Sequence, residues 1–245
     1  MTLPAITTAP SWVHDAHALW SARPDRIAPL RVAAWMRAPV AFDRDDGLRL
    51  DGALSWVVVA LTTGAPPPEA FAGVPKGVHV DIPVPIADEV IAGWRVAMCS
   101  DAELAPVAAE VVRRRRKKPH PEAMALSKVQ TTGGPWKALD IPVSSWASPV
   151  LTWRLMGDAE RLRGILAELH AIGRGRAGGL GHVEAWTIDA DETARERWRE
   201  RALPVADAAE AARLYPGRVV RETRVRLPYW HPRTRTLAAC PVVGC

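Results

Sequence analysis

Apolar and polar positions along this chain change period several times, and each change marks an element. Leu30-Arg31-Val32-Ala33-Ala34-Trp35-Met36 reads as a strand that Pro39 breaks. The stretch Gly52 to Leu61 is apolar almost all round, which predicts a buried helix, with Asp51 placed to cap its first free N–H groups. Pro66-Pro67-Pro68 ends that unit. Val78 to Ile86 and Trp94 to Cys99 read as two strands connected through Asp88 to Gly93, an antiparallel hairpin. Glu103 to Val112 reads as a short helix and Val150 to Met156 as a further strand. From Asp158 to Ile172, the residues Leu162, Ile165, Leu166, Leu169 and Ile172 recur at helical spacing between charges. His182 to Ile188 reads as a strand, Glu192 to Arg201 as an exposed helix around Trp198, and Asp207 to Leu214 as an alanine-rich helix. Arg218 to Leu227 reads as a strand, and the proline-rich residues from Pro228 are expected to cover an edge.

Taken together, the elements spell β-α-β-β-α-β, the α+β ferredoxin-like (RRM-like) arrangement, provided that an insertion separates its halves. The expected organisation is an N-terminal arm at 1–29, the ferredoxin-like domain at 30–100 and 150–190, a basic insertion at 101–149 and a C-terminal β/helical extension at 191–245.

The connection between the last predicted helix and strand is Gly173-Arg174-Gly175-Arg176-Ala177-Gly178-Gly179-Leu180-Gly181, five glycines and two arginines in nine positions. Gly173, Gly175 and Gly178 spell the dinucleotide fingerprint, but that motif needs a strand before and a helix after, and here the order is reversed. No Gly-Lys-Ser/Thr closes the run, which excludes a Walker-type loop. Two readings remain. Glycines at 173, 175, 178, 179 and 181 can leave consecutive N–H groups free to cradle an anion, with Arg174 and Arg176 adding bidentate phosphate contacts. Alternatively, the segment is a flexible connection ending in a glycine cap, for which one glycine ordinarily suffices.

A net charge of +5 favours a polyanionic partner through its clustering more than its size. The cluster is Arg113-Arg114-Arg115-Arg116-Lys117-Lys118, six consecutive cations within the insertion. Either they contact a polyanion, releasing a counterion per neutralised phosphate, or they form a solvated charge run. Downstream, Ser127 to Lys137 is a basic loop in which Lys128 and Lys137 flank Trp136, a residue that can stack on a base or pack in a core. Three cysteines, Cys99, Cys240 and Cys245, exclude a disulfide scaffold and predict a reducing, cytoplasmic compartment. Cys240 and Cys245 offer two metal ligands with no second pair, so neither metal nor other cofactor is expected. Met1 to Pro10 lacks the layout of a secretory signal, and no apolar run is long enough to span a bilayer, so no membrane partner is expected.

Several of these segments resemble the RAMP superfamily of CRISPR effector proteins, whose ferredoxin-like domains carry a glycine-rich loop between the last helix and the last strand. The resemblance is carried by Ile172 to Trp186, Leu30 to Pro39, Leu48-Arg49-Leu50-Asp51-Gly52-Ala53-Leu54-Ser55, Ile82 to Trp94, and Trp153 to Asp158. Together they are most similar to the small RAMP subunit of type IV systems. Where such proteins often show Arg-Pro-Ile-Pro after the last strand, this chain has Arg201-Ala202-Leu203-Pro204. The resemblance implies a non-catalytic subunit of a ribonucleoprotein that grips the 5′ handle of a crRNA and touches the backbone RAMP subunits and the large subunit. Gly173 to Gly181 would then supply main-chain contacts and Arg174 and Arg176 hold phosphates. The run 113–118, with Lys128 and Lys137, would line the RNA or incoming target DNA. A guide-processing endoribonuclease of the same superfamily is the competing expectation, with His14, His17, His120 and His231 as candidate acids or bases, none in a recognisable catalytic spacing. A stand-alone RNA-binding module is disfavoured, because aromatic stacking motifs are absent from the predicted strands.

Overall fold

The structure is a computed structural model that describes residues 10–42, 47–72, 74, 79–105, 108–115, 140–229 and 234–242, with backbone alone at 68, 110–115, 140–142 and 177. In chain order the elements are helix α1 (Trp12–Trp20), strands β1 (Ile27–Met36) and β2 (Val40–Ala41), helices α2 (Leu50–Thr63) and α3 (Pro67–Ala70), and strands β3 (Asp88–Ile91), β4 (Trp94–Ala97), β5 (Glu103–Leu104), β6 (Ala108–Arg115), β7 (Asp140–Ala147) and β8 (Val150–Asp158). Helix α4 (Ala159–Leu166), strand β9 (Val183–Ala190), helix α5 (Ala194–Arg197), strand β10 (Leu203–Pro204), helix α6 (Ala208–Leu214) and strands β11 (Val219–Arg224) and β12 (Arg235–Cys240) complete it. It is a mixed α+β protein with several antiparallel sheets.

Strand β1 lies at the centre of the main sheet, whose order is β5-β8-β1-β9 and whose described pairings are antiparallel. Alternation decides its two faces. Leu30, Val32 and Ala34 join Leu151, Trp153 and Leu155 of β8 in one core with Leu54, Val57 and Val58 of α2 and Leu162, Ile165 and Leu166 of α4. The Trp153 indole is fully buried and donates to the Leu48 carbonyl at 2.9 Å, so this core side chain leaves no unsatisfied donor. Helix α4 has eight residues, too few to hold without tertiary packing. Its start is fixed by Asp158, whose carboxylate accepts from the amides of Glu160 and Arg161 and from Arg23 at 2.6 Å.

Several expectations require correction. The apolar period of 158–172 continues past the helix: Leu169 and Ile172 are buried, yet the chain leaves α4 after Leu166 so that Ile172 can donate to the Gly181 carbonyl. Periodicity there reports burial and not helical hydrogen bonding. Residues 79–87 form no strand: Pro83 and Pro85 have no N–H to donate, and the pairing with β8 is a single bridge, Ile86↔Gly157. The hairpin is instead β3 with β4, turned by Ala92 and Gly93, both at positive φ. The short helix read over Glu103 to Val112 is absent. Among the described residues, Glu103 and Leu104 form β5, which pairs with β8, and those from Ala108 form β6, which pairs with β7 from Ala108↔Ala147 to Arg115↔Asp140. β-Branched Val111 and Val112 suit that pairing better than a helix. The helix around Trp198 is a single turn, and Trp198 is fully buried with Val96, Met156 and Leu203. Beyond Pro228, β12 is the central strand of the sheet β10-β12-β11 and covers no edge.

That C-terminal sheet is joined to the core through a buried ion pair. Arg201 and Asp51 have fully buried side chains and lie 3.2 Å apart, and Arg201 also donates to the carbonyls of Ala97 and Cys99 at 2.9 and 3.0 Å. Arg201 donates to the Tyr229 hydroxyl at 2.6 Å, and that hydroxyl donates to Asp51. Arg49 holds the N-cap position, so Asp51 lies inside the first turn, where one carboxylate oxygen accepts from the Gly52 amide at 2.9 Å as expected and the other turns inward to Arg201 and Tyr229. Among the described residues, no helix is long and apolar enough to cross a membrane.

Two stability measurements follow from these contacts. Replacing Asp51 by alanine leaves Arg201 buried and uncompensated, and urea unfolding should show a loss of about 3–5 kcal/mol. Asp158 is 1% exposed and held at about 2 by the Arg23 hydrogen bond, with the Arg161 amide assisting and burial opposing. Its folded pKa lies below its unfolded value of about 3.9, so its contribution is full above that pH and is lost as pH falls toward 2. Asp158→Asn, which keeps a capping oxygen, should cost about 2 kcal/mol at pH 7 and remove this part of the acid sensitivity in unfolding curves between pH 5 and 2.

Candidate nucleic-acid interface

Between Ile172 and Val183 the chain folds tightly against β2. The Arg174 amide donates to the Ala41 carbonyl at 2.6 Å, and the Gly181 amide to the Pro39 carbonyl at 2.7 Å. Within the segment, Gly178 donates to Gly175 at 2.7 Å and Gly179 to Arg176 at 3.0 Å, which closes a 3-10 turn over Arg176–Gly178. Two glycines are required by the close approach. Gly173 has φ +79°, and a Cβ there would lie 2.5 Å from the Ala41 oxygen; Gly181 has φ +70°, and a Cβ would lie 1.8 Å from the Ile172 oxygen. Of the amides in the expected run, those of Arg174, Gly178, Gly179 and Gly181 donate to carbonyls of the protein itself. The turn also presents guanidinium groups to solvent, since Arg174 and Arg176 are exposed.

Those two side chains border a groove of about 420 Å³ between the loop and the first half of α2. Gly52, Ala53 and Trp56 lie along one stripe of α2, three and four residues apart, so this helix is not buried all round as its composition suggested. Phe42, Trp56 and Tyr229 supply aromatic walls, and Arg49, Arg174, Arg176 and Arg224 supply four guanidinium groups. The Arg176 guanidinium lies over the Trp56 ring at 5.3 Å from its centroid, and that of Arg49 over Tyr229 at 4.7 Å. Arg49 is otherwise committed inside the protein, to the Arg224 carbonyl and to Asp101 at 3.4 Å. Burial raises the Asp101 carboxyl above its ordinary value, with Arg49 opposing. Burial likewise raises the Tyr229 phenol, against Arg201, so Tyr229 stays a neutral hydrogen-bond donor. A Cβ at Gly52 would lie 2.9 Å from the Tyr229 ring, so the bare backbone there lets the aromatic wall close. An arginine-lined groove with aromatic faces can hold phosphate by charge and planar rings by stacking.

The structure thus brings Gly173, Gly175, Gly178, Gly179, Gly181, Arg174 and Arg176 into one turn beside one groove. Arg113, Arg114 and Arg115 fall on β6, opposite Pro142, Ile141 and Asp140. Arg116, Lys117, Lys118, Lys128, Trp136 and Lys137 lie outside the described residues, as do His120 and His231. His14 and His17 lie on α1 and do not line the groove. Sequence reading missed Phe42, Arg49, Trp56, Arg224 and Tyr229. One signal was available for Trp56: with Arg49, Gly52 and Ala53 it follows the helical spacing of a stripe that mixes a cation and a glycine into an apolar helix.

The two kinds of glycine in the turn separate in a substitution test. Gly181→Ala should destabilise the protein by about 2 kcal/mol or more, since left-handed backbone strain and a backbone overlap add. Gly178, where a Cβ would meet nothing within 4 Å, should accept alanine within about 0.5 kcal/mol in the same thermal unfolding assay.

Comparison with known proteins supplies the remaining observation. The chain matches no curated protein. A family model, described as CRISPR type IV associated protein Csf3, matches residues 100–241, more than half of the chain, and that stretch contains the glycine-rich turn with Arg174 and Arg176. The chain therefore belongs to the Csf3 family of type IV CRISPR-associated proteins.

Proposed function

We propose that this protein is the non-catalytic crRNA-binding subunit of a type IV CRISPR ribonucleoprotein effector. In this reading it grips the 5′ handle of the guide RNA and contacts the backbone RAMP subunits and the large subunit. The observation that carries it is the placement of Arg174 and Arg176 on an exposed turn beside an aromatic groove, in a chain of the Csf3 family. Guanidinium groups on a turn anchored by main-chain hydrogen bonds are pre-positioned for a sugar-phosphate backbone. The strand order β5-β8-β1-β9, with α2 following β1 and α4 following β8, supports a ferredoxin-like, RAMP-type core. The cationic run 113–118 extends the basic character into the insertion and is assigned, in the same reading, to the guide or to target DNA.

Co-expression with the neighbouring effector genes should yield a complex with one copy of this chain per guide RNA, and recovery of RNA-free monomer would overturn the assignment. Arg174→Ala with Arg176→Ala should weaken RNA retention and flatten its salt dependence, by ~0.7 in slope for each single-strand phosphate that is no longer neutralised. A labelled repeat hairpin should remain uncut by the purified protein without divalent metal. Cleavage at one site would favour the processing enzyme instead.

A further inference from the structure

The guanidinium of Arg176 occupies the place where a planar ligand would stack. Trp56 is half-buried in the lining of the groove, and the Arg176 guanidinium, another part of that lining, lies over its ring at 5.3 Å from the centroid. Among the described residues, no carboxylate holds Arg176 there. Arg176 sits at the first position of the 3-10 turn, between Gly175 at φ +77° and Gly179 at φ +84°. A Cβ at Gly178 or Gly179 would meet nothing within 4 Å, so this side of the turn has room to move. Phe42 and Tyr229 add further ring faces to the lining of the groove. At about 420 Å³ the groove is at the small end of ligand sites, suited to one nucleotide unit and too small for a duplex.

From these contacts we infer that Trp56 is the seat of one unpaired nucleobase, which stacks on the indole when a phosphate of the same strand draws Arg176 away. An exposed cation–π contact is weaker than a base–indole stack, and a guanidinium–phosphate pair replaces what Arg176 gives up, so the exchange runs toward the bound state. The ligand class is single-stranded RNA with one base splayed from its neighbours, read by shape and stacking rather than by its hydrogen-bonding edge. This inference rests on the RNA-holding reading above, and it adds a base where that reading has only phosphates.

The test uses the full-length protein and a single-stranded RNA carrying the repeat-derived 5′ end, together with a series in which each position in turn is abasic. One abasic position should weaken binding by the wild-type protein about 5- to 150-fold, and Trp56→Leu should lose the same factor on intact RNA while becoming indifferent to that position. Trp56→Phe should keep most of the affinity. The abasic series on the wild-type protein decides the matter even if Trp56→Leu does not fold. Intact RNA bound equally by wild type and Trp56→Leu, or an abasic series with no single sensitive position, would overturn the stacking seat and leave the phosphate grip standing. Failure of wild-type protein to bind any of these RNAs at low salt would overturn both.

Discussion

Arg201 has no access to solvent, and its charge has to be met where it lies. A buried guanidinium without a partner costs several kcal/mol, so the positions of Asp51, of the carbonyls of Ala97 and Cys99, and of the Tyr229 hydroxyl are set by one requirement. These partners come from α2, from the chain at and just after the end of β4, and from the chain beyond β11. The consequence reaches the surface. Tyr229, oriented from below by Arg201 and Asp51, presents its ring as a wall of the groove and lies beneath the Arg49 guanidinium. The ion pair that docks the C-terminal sheet therefore also shapes the groove.

The glycine-rich turn divides its labour between backbone and side chains. Its amides at 174, 178, 179 and 181 are used to build the turn and dock it on β2, and close approach at Gly173 and Gly181 leaves no space for a side chain. A helix N-terminus or an amide nest binds phosphate through fixed dipoles. Here four of the amides fix the frame, and in the proposed reading the contact with RNA falls to the charged groups of Arg174 and Arg176. Such contacts are sequence-independent and sensitive to salt, and specificity has to come from elsewhere in the groove.

Much of the frame was legible beforehand. β1, α2, β8, the start of α4, β9, α6 and β11 each carry a period, a cap or a breaker in their own residues. The helix-to-strand placement of the glycine-rich turn, which excluded a dinucleotide loop, holds in the structure. The errors share a cause. Leu169 and Ile172 keep a helical period outside any helix, and residues 79–87 alternate without a ladder because two prolines intervene. Val111 and Val112 pair with Ser144 and Val143 of β7, a strand far enough along the chain that local preference does not contain the pairing. β7, β10 and β12 carried too little period of their own to be seen.

By itself, the sequence determined the positions of Arg174 and Arg176 in a glycine-rich turn between a helix and a strand, because glycine content, charge and hydrophobic period are local properties. Only the tertiary structure decided that Asp51 is an ion-pair partner as well as an acceptor for a first-turn amide, that Trp56 is half-open to a groove, and that Phe42, Arg49, Arg224 and Tyr229 meet there. Asp51 and Arg201 are 150 positions apart, and Asp51 and Tyr229 178. No local pattern links them, since their pairing is the outcome of burying a charge in a place that exists only after the sheets have packed.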